Sequence, residues 1–396
     1  MAALFVAATV SAQDDKTEQK PEDEGFVFTT VKQIPITSIK DQHRSSTCWS
    51  FSTMAFFEAE ILREKGLTVD LSEMYLVSNS MCERAELFVR LHGNATFAPG
   101  GAFADGIALL RNHGIVPQSA MPGIMYGEYP QDTLPVHKEL DAVSRAFLNA
   151  IVNGNMTRLT PSWKVAFRGI YDAYLGKCPE VFEYEGKKYT PQSFQQYLGL
   201  NPDDFVSITS FTHHPFYSQF AIEIEDNWRH SLSYNVPLNE FMDIIDNALN
   251  NGYTVAWGAD VSEDGFTRDG IAVVPDAALS VQELGSDMAH WLKLPKADTR
   301  KQLTSKPLPE REITQLLRQQ GFDNYETTDD HGMLIYGIAR DQNGKEYYMV
   351  KNSWGKAGKY DGIWYVSKAF VRYKTINIVV NKKAIPSDIS NRMGLK

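Results

Sequence analysis

Cysteine is scarce in this chain: only three occur among 396 residues. Three cysteines cannot make a disulfide framework, and a chain of this length can bury a core without one. We interpret Cys82 and Cys178 as buried free thiols, with a pair in an oxidising compartment as the alternative. Acidic residues outnumber basic ones by 49 to 39, which argues against a nucleic-acid partner.

Long apolar stretches are also missing at the N-terminus. The run over residues 2–10 is far too short to span a bilayer, but Val10-Ser11-Ala12 follows it and fits a signal-peptidase site. No Lys or Arg precedes the run, which is atypical of a signal peptide. We expect a signal peptide over residues 1–12, a disordered linker over 13–25 and export to a bacterial periplasm or the medium. A cytoplasmic location is the alternative.

No pattern of metal ligands stands out. A His-Glu-x-x-His motif does not occur. His213 and His214 are adjacent and followed by Pro215, so their side chains need not converge. We therefore expect no metal and no cofactor, and the sequence disfavours a metallopeptidase.

Cys48 stands at the start of a predicted helix. Residues 45–47 are Ser, Ser and Thr, which cap helix N-termini, and apolar residues recur at three- and four-residue steps from Trp49 until Gly66, a natural stop. The partial positive charge of a helix N-terminus favours thiolate over thiol. This position suits a nucleophile; a buried cysteine that only packs is the alternative.

A carboxamide, Gln42, precedes the thiol by six residues. Its N–H can donate to a developing oxyanion, as can the backbone N–H of Cys48, and two such donors make an oxyanion hole. An exposed loop residue is the alternative interpretation of Gln42.

Near the C-terminus the sequence predicts a β-hairpin, with strands over residues 333–339 and 347–350 around the turn 341–344. His331 precedes the first strand and Asn352 follows the second, so the hairpin brings an imidazole and a carboxamide together, with a bulge or bend to align them. The Asn352 oxygen would accept from one ring nitrogen of His331 and leave the other free to face Cys48.

These motifs together resemble the papain family of cysteine peptidases: Gln42, Cys48-Trp49-Ser50-Phe51, His331-Gly332 and Asn352-Ser353-Trp354-Gly355. The resemblance implies a Cys-His-Asn triad in which Cys48 is the nucleophile, His331 the general base and acid, and Asn352 the orienting residue. Gln42 would be the oxyanion donor, and Trp354 would shield the hydrogen bond between Asn352 and His331. It also implies an α+β fold, with a cleft between a helical lobe and a β-rich lobe.

The spacing departs from papain, because 283 positions separate Cys48 from His331, against roughly 130–150 in papain-like enzymes. The enlarged chain is similar to the bleomycin hydrolase and aminopeptidase C branch in four segments: 71–76, 99–103, 113–117 and 251–261. We expect a peptidase domain over residues 26–396 with a large, mainly helical insertion at about 121–238. Gly100 and Gly101 would lie along the substrate cleft, with a simple turn as the alternative.

The same branch implies a cysteine aminopeptidase whose C-terminus lies in the cleft. Met393-Gly394 is like the branch's tail, and the carboxylate of Lys396 would pair with a substrate α-ammonium and block longer peptides. A frayed terminus is the alternative. The expected partners are peptides with a free N-terminus. Members of the branch form hexamers, so the resemblance allows a homo-oligomer here.

Two other functions stay open at this point, an endopeptidase and a papain-fold binding or inhibitory protein that does no chemistry. The quartet of Gln42, Cys48, His331 and Asn352 is intact, and a binding module has no need of all four. The sequence therefore favours a catalyst.

Acidic runs at residues 223–226 and 326–330 are interpreted as solvated faces. Asp329 and Asp330 directly precede His331, and we expect their charge to raise the pKa of the imidazole. A raised pKa would support a thiolate–imidazolium pair.

Overall fold

The computed structural model describes residues 25–125, 137–276 and 305–395. The predicted signal peptide, residues 13–24 of the predicted linker and Lys396 lie outside the described residues. Among the described helices, none is both long and apolar enough to cross a membrane.

Ten helices occur in the described ranges: α1 Cys48–Lys65, α2 Glu73–Arg90, α3 Phe103–His113, α4 Lys138–Asn153, α5 Ser162–Leu175, α6 Pro191–Leu198, α7 Leu238–Asn250, α8 Gln315–Asp323, α9 Lys368–Lys374 and α10 Ser387–Arg392. The strands of the same ranges are β1 Phe28–Gln33, β2 Phe182–Tyr184, β3 Lys187–Tyr189, β4 Phe205–Thr209, β5 Gln219–Ala221, β6 Leu232–Asn235, β7 Val255–Ala259, β8 Ile271–Ala272, β9 His331–Asp341, β10 Glu346–Lys351, β11 Ile363–Ser367 and β12 Thr375–Asn381.

The predicted helix after Thr47 is confirmed as α1. It begins at Cys48 and ends where Gly66 takes a left-handed φ of 66° and its N–H bonds back to Leu62. Every residue from 49 to 61 is buried, because α1 packs against α2 and α3 on one side and against β9 and β7 on the other. Such a helix is buried all round, and so it fixes the position of Cys48 relative to both lobes.

The large sheet has ten strands in the order β5-β6-β4-β12-β7-β9-β10-β11-β8, with β1 also paired to β9. Side chains alternate between its two faces. Ala256, Leu334 and Val379 pack with the α1 side of the core, whereas Trp257 and Ile335 pack with α7. The sheet therefore separates the helical lobe from a layer that contains α7.

The predicted hairpin is also confirmed. β9 and β10 pair antiparallel, and the register shifts between Met349 and Val350, which is the irregularity the sequence required. β7 pairs on the other side of β9, with Ala259 opposite His331. His331 thus begins a strand that is paired on both sides.

The predicted insertion contains α4, α5 and α6, as expected for a mainly helical segment. Its last part is different, because β4, β5 and β6 extend the large sheet and β4 pairs directly with β12. Residues 205–235 therefore build the sheet as well as enlarging the chain.

A buried ion cluster anchors the segment that leads to Gln42. Lys40 Nζ lies 3.4 Å from Glu58 Oε1 on α1, 2.6 Å from Glu73 Oε1 on α2 and 3.0 Å from Leu71 O. Burial alone would lower the pKa of Lys40, but Glu73 and Glu58 raise it above its usual value overall. The backbone N–H of Gly355 donates to Lys40 O at 3.1 Å. The cluster thus joins α1, α2 and the end of the hairpin.

Replacing Lys40 by Met should destabilise the fold by about 3 kcal/mol, because it leaves the buried Glu58 and Glu73 without their cation. Urea unfolding followed by circular dichroism measures the change. Arg90→Met is the matched control, since it breaks an exposed ion pair with Glu86 and should cost less than about 1 kcal/mol. Equal effects of the two substitutions would contradict the assigned role.

Candidate active site

Cys48 and His331 meet because α1 lies very close to the start of β9. A side chain at Gly332 would place its Cβ 2.6 Å from Ser52 Oγ on α1, so only glycine allows this approach. Ser52 lies one turn after Cys48, and Gly332 follows His331. Cys48, His331 and Gly332 accordingly line one cavity.

His331 is held by Asn352 across the end of the hairpin. His331 Nε2 lies 2.8 Å from Asn352 Oδ1, which also accepts from the backbone N–H of Ser353 at 2.7 Å. His331 and Asn352 are 6% and 1% exposed. The Trp354 ring packs 4.7 Å from the imidazole, centroid to centroid. This arrangement fixes the ring and leaves Nδ1 as the nitrogen available to Cys48.

Gln42 is tied to the same strand end. Its backbone N–H donates to Ser353 O at 2.8 Å, and Ser353 Oγ donates to Gln42 Oε1 at 2.6 Å. The side-chain oxygen is therefore occupied, while the amide nitrogen keeps its donors. Gln42 is not among the residues that line the cavity, so its role as an oxyanion donor stays a prediction.

A cavity opens at Cys48. It is lined from both lobes, by Cys48, Trp49, Gly101, Ala102, Phe103, Ile224, Asp226, Gly258, Asp329, Asp330, His331, Gly332 and Asn377. Gly101 lines this cavity, and its role in binding a substrate stays a prediction. A Cβ on Gly101 would come within 3.0 Å of the Trp49 ring, and one on Gly100 within 2.4 Å of an Asp226 oxygen. Both positions therefore exclude side chains.

The loop before these glycines is held by one buried arginine on α2. Arg84 donates through Nε to Thr96 O at 2.9 Å and through Nη1 to Ala98 O and Gly100 O at 2.8 and 2.5 Å. These bonds fix the wall of the cleft.

Burial controls the protonation of the reacting pair. It raises the pKa of the Cys48 thiol to about 12, although hydrogen bonds from the backbone of Gly332 and Trp49 oppose the increase. It lowers the pKa of His331 to about 4 despite the bond to Asn352. Both shifts favour the neutral thiol and the neutral imidazole in the empty cleft.

The predicted effect of the two acids before His331 is therefore wrong, because burial outweighs them. Burial and then the charge of Asp226 raise the pKa of Asp329 to about 8. Asp330 instead anchors a loop, since its carboxylate accepts from the backbone N–H groups of Val261 and Ser262 at 2.9 and 3.1 Å.

Sequence reasoning missed several polar residues of the cavity, among them Asp226, Asp329 and Asn377. Asp226 belongs to the acidic run 223–226, which we interpreted as a solvated face, and Asp329 belongs to the other run. Both line the cleft instead. Asp329 lies two residues before His331, and that proximity was the available signal; Asp226 carried none.

The described part of the C-terminal tail packs on α7. Arg392 Nη1 lies 2.7 Å from Glu240 Oε1 and 2.9 Å from the Tyr217 hydroxyl. Met393 and Leu395 pack into the core on the α7 side of the sheet. None of the described tail residues lines the cavity at Cys48, and Lys396 lies outside the described residues.

His213 and His214 converge on one carboxylate, which the sequence did not lead us to expect. Their Nε2 atoms lie 3.1 and 3.0 Å from the two oxygens of Glu223. This donor set suits a divalent cation, but both oxygens already pair with an imidazole, so hydrogen bonding accounts for the arrangement.

Cys82 and Cys178 are free thiols.

Comparison with known proteins places this site in a family. The model of the Peptidase C1-like family matches residues 3–300 and 314–395. The chain belongs to the Peptidase C1-like family. Its resemblance to the papain-like peptidases of the aminopeptidase C branch is thereby confirmed.

Relatives of this Peptidase C1-like chain include two from Lactobacillus delbrueckii subsp. lactis. Aminopeptidase G is 23% identical over 91% of this chain and 84% of its own length, and aminopeptidase C is 23% identical over 90% and 82%. Mitochondrial cysteine proteinase 1 of Saccharomyces cerevisiae is 22% identical over 96% and 81%.

The crystal structure of PepW from Lactobacillus rhamnosis shares the fold. It superposes with a TM-score of 0.65 at 20% identity and covers 92% of this chain and 84% of PepW. The papain-like α+β fold predicted from the sequence is therefore confirmed.

Replacing Gln42 by Ala should lower kcat about 10²–10³-fold with little change in KM, because a donor to the oxyanion acts mainly in the transition state. Hydrolysis of a fluorogenic peptide amide measures both constants. Gln42→Glu is the matched variant, since it keeps the acceptor for Ser353 but removes the donor, and it should lose as much as Gln42→Ala. A wild-type kcat in both variants would exclude Gln42 from the oxyanion hole.

Proposed function

We propose that this protein is a cysteine aminopeptidase that removes residues from the free N-termini of peptides. The observation that carries the proposal is the bond of 2.8 Å between His331 and Asn352 in a cleft that also holds Cys48 at a helix N-terminus. Relatives named aminopeptidase G and aminopeptidase C match along more than four fifths of their lengths, which supports peptidase action at N-termini.

The geometry supports catalysis through an acyl-enzyme. When a substrate carbonyl reaches Cys48, the thiol proton of Cys48 passes to His331 Nδ1 and the thiolate attacks the carbonyl carbon. The backbone N–H of Cys48 and the Gln42 amide would donate to the resulting oxyanion. Asn352 holds the ring by accepting from Nε2–H.

The intermediate collapses when His331 returns its proton to the leaving amine. The peptide C–N bond breaks and a thioester with Cys48 remains. His331 then takes a proton from a water molecule, the hydroxide oxygen bonds to the acyl carbon, and the C–S bond breaks to release the acid. The thiol regains its proton from His331.

An endopeptidase is the second candidate, because the yeast relative is named a cysteine proteinase. Blockage of the cleft by the C-terminus would exclude endopeptidase activity, but this blockage stays a prediction. The contacts of Arg392, Met393 and Leu395 with the α7 side do not support a blocked cleft.

We also propose that the protein is exported, with Val10-Ser11-Ala12 as the cleavage site. The support is the apolar run and the small residues after it. N-terminal sequencing of the mature protein tests this proposal.

The homo-oligomer suggested by the branch likewise stays a prediction.

Cys48→Ala should abolish turnover of an aminoacyl coumarin amide, a loss of at least about 10³-fold, because the nucleophile of a catalytic unit is removed. Release of the fluorescent amine measures it. Cys82→Ala is the matched control and should keep wild-type activity, since Cys82 does not line the cleft. Turnover retained by Cys48→Ala would refute the mechanism.

The N-acetylated form of the same amide separates the two candidate activities. An aminopeptidase should hydrolyse it at least about 10²-fold more slowly, since the site is built for an α-ammonium that the acetyl group removes. Equal rates on the free and acetylated amides would establish the endopeptidase instead.

A further inference from the structure

Three acids line the cavity at Cys48, and two of them, Asp226 and Asp329, have no ion pair or hydrogen bond in the described ranges. Asp226 comes from the segment after β5 and Asp329 from the residues before β9, and both line the cavity with Cys48 and His331. Their charges reach the thiol, since both raise the pKa of Cys48 beyond the larger effect of burial. The two acids therefore stand where a bound substrate must lie.

Neither carboxylate has an ion pair in the described ranges. In the described ranges, Asp329 makes no hydrogen bond and no ion pair, and only burial and the charges of Asp226 and Asp330 act on its pKa, all upward. Asp226 likewise has no ion pair within 4.0 Å in the described ranges. Burial raises the pKa of Asp226, and the charge of Arg84 offsets part of that increase.

The nearby arginines bond mainly to other groups. Arg84 donates to the backbone carbonyls of Thr96, Ala98 and Gly100, and its Nη2 has no hydrogen-bond partner in the described ranges. Arg229 Nε lies 2.5 Å from Asp105 Oδ1, and its Nη2 lies 2.5 Å from Glu83 Oε2. Asp330, the third acid of the cavity, is satisfied by backbone N–H groups. Asp226 and Asp329 are thus the two acids of the cavity that have no ion pair or hydrogen bond in the described ranges.

Covalent geometry decides which cation can reach this site. The amino nitrogen and the carbonyl carbon of one residue are only about 2.5 Å apart, as the N–Cα and Cα–C bond lengths and the angle between them require. When Cys48 attacks the first carbonyl of a peptide, the α-ammonium must therefore lie inside the same cavity. Asp226 and Asp329 are the acids there that lack partners among the described residues.

We propose that Asp226 and Asp329 together bind the α-ammonium of the substrate's N-terminal residue and thereby select free N-termini. This inference rests on the proposed aminopeptidase function. The ammonium donates charge-assisted hydrogen bonds to both carboxylates and removes their mutual repulsion. An acylated nitrogen carries no charge and adds bulk beside two acids, so it is rejected.

The test compares three coumarin amides: leucyl, N-acetyl-leucyl and the desamino analogue 4-methylpentanoyl. Asp226→Asn and Asp329→Asn should each lower kcat/KM for the leucyl amide about 10- to 100-fold, mainly through KM, because a charged hydrogen bond is lost. The double variant should lose selectivity for the leucyl over the desamino amide. In each variant kcat/KM for the desamino amide should fall less than that for the leucyl amide, since the desamino amide never makes the bond.

Glu225→Gln is the matched control, because it removes one negative charge next to Asp226 from an exposed residue outside the cavity. It should leave the selectivity unchanged. Titration with a thiol-directed epoxide counts the active molecules of each variant, so misfolding is not mistaken for a loss of recognition. Asn at position 226 or 329 keeps the shape of Asp and removes repulsion, so the melting temperature should not fall.

Three results would overturn the proposal, and they are distinguishable. If the wild type hydrolyses acetylated and free amides equally, the aminopeptidase function fails and this inference with it. If the wild type rejects the acetylated amide but the Asn variants keep the full preference, only the inference fails. If the wild type instead prefers acetylated dipeptide amides with Lys or Arg before the cleaved residue, and the variants lose that preference, the acids bind a basic side chain.

Discussion

The contact between α1 and the first residues of β9 determines the whole site. Ser52 lies where any side chain on residue 332 would be, so the helix that presents Cys48 and the strand that presents His331 approach as closely as backbones allow. Every residue of α1 from 49 to 61 is buried, which prevents the helix from shifting to relieve a misfit. Because the protein interior is close-packed, a methyl group at Gly332 would separate nucleophile and base.

The remaining groups are positioned relative to that contact by the hairpin. Opposite the step from Met349 to Val350, β9 has one residue more than β10, and beyond this bulge Asn352 reaches the imidazole. Ser353 holds Gln42 through two hydrogen bonds. Lys40 fixes the segment that precedes Gln42 to α1 and α2. Gln42, Asn352 and His331 are therefore parts of one hydrogen-bonded unit, which keeps their relative geometry.

Much of this unit could be predicted from the sequence because it depends on local patterns. Helix periodicity and a glycine stop defined α1, and two apolar strands around an Asn-Gly turn defined the hairpin, including its bulge. Asp226 could not be found in this way, because its position in the cleft depends on β4, β5 and β6 joining the large sheet. The convergence of His213 and His214 on Glu223 could not be predicted for the same reason. The predicted direction of the His331 pKa shift was wrong because the sequence shows neighbouring charges but not burial. Burial has the largest effect on the pKa of His331.

Two devices can restrict a papain-like cleft to free N-termini, and they differ in cost. A chain terminus placed in the cleft must be ordered over several residues, and each ordered residue loses about 1–2 kcal/mol of conformational entropy. Two acids fixed by the lobes need no such ordering, but charging them in the empty cleft is costly, because burial first and then the charge of Asp226 raise the pKa of Asp329. An arriving ammonium recovers that cost only when it lies beside both acids, next to the nucleophile. The repulsion in the empty enzyme therefore becomes selectivity for the substrate that relieves it.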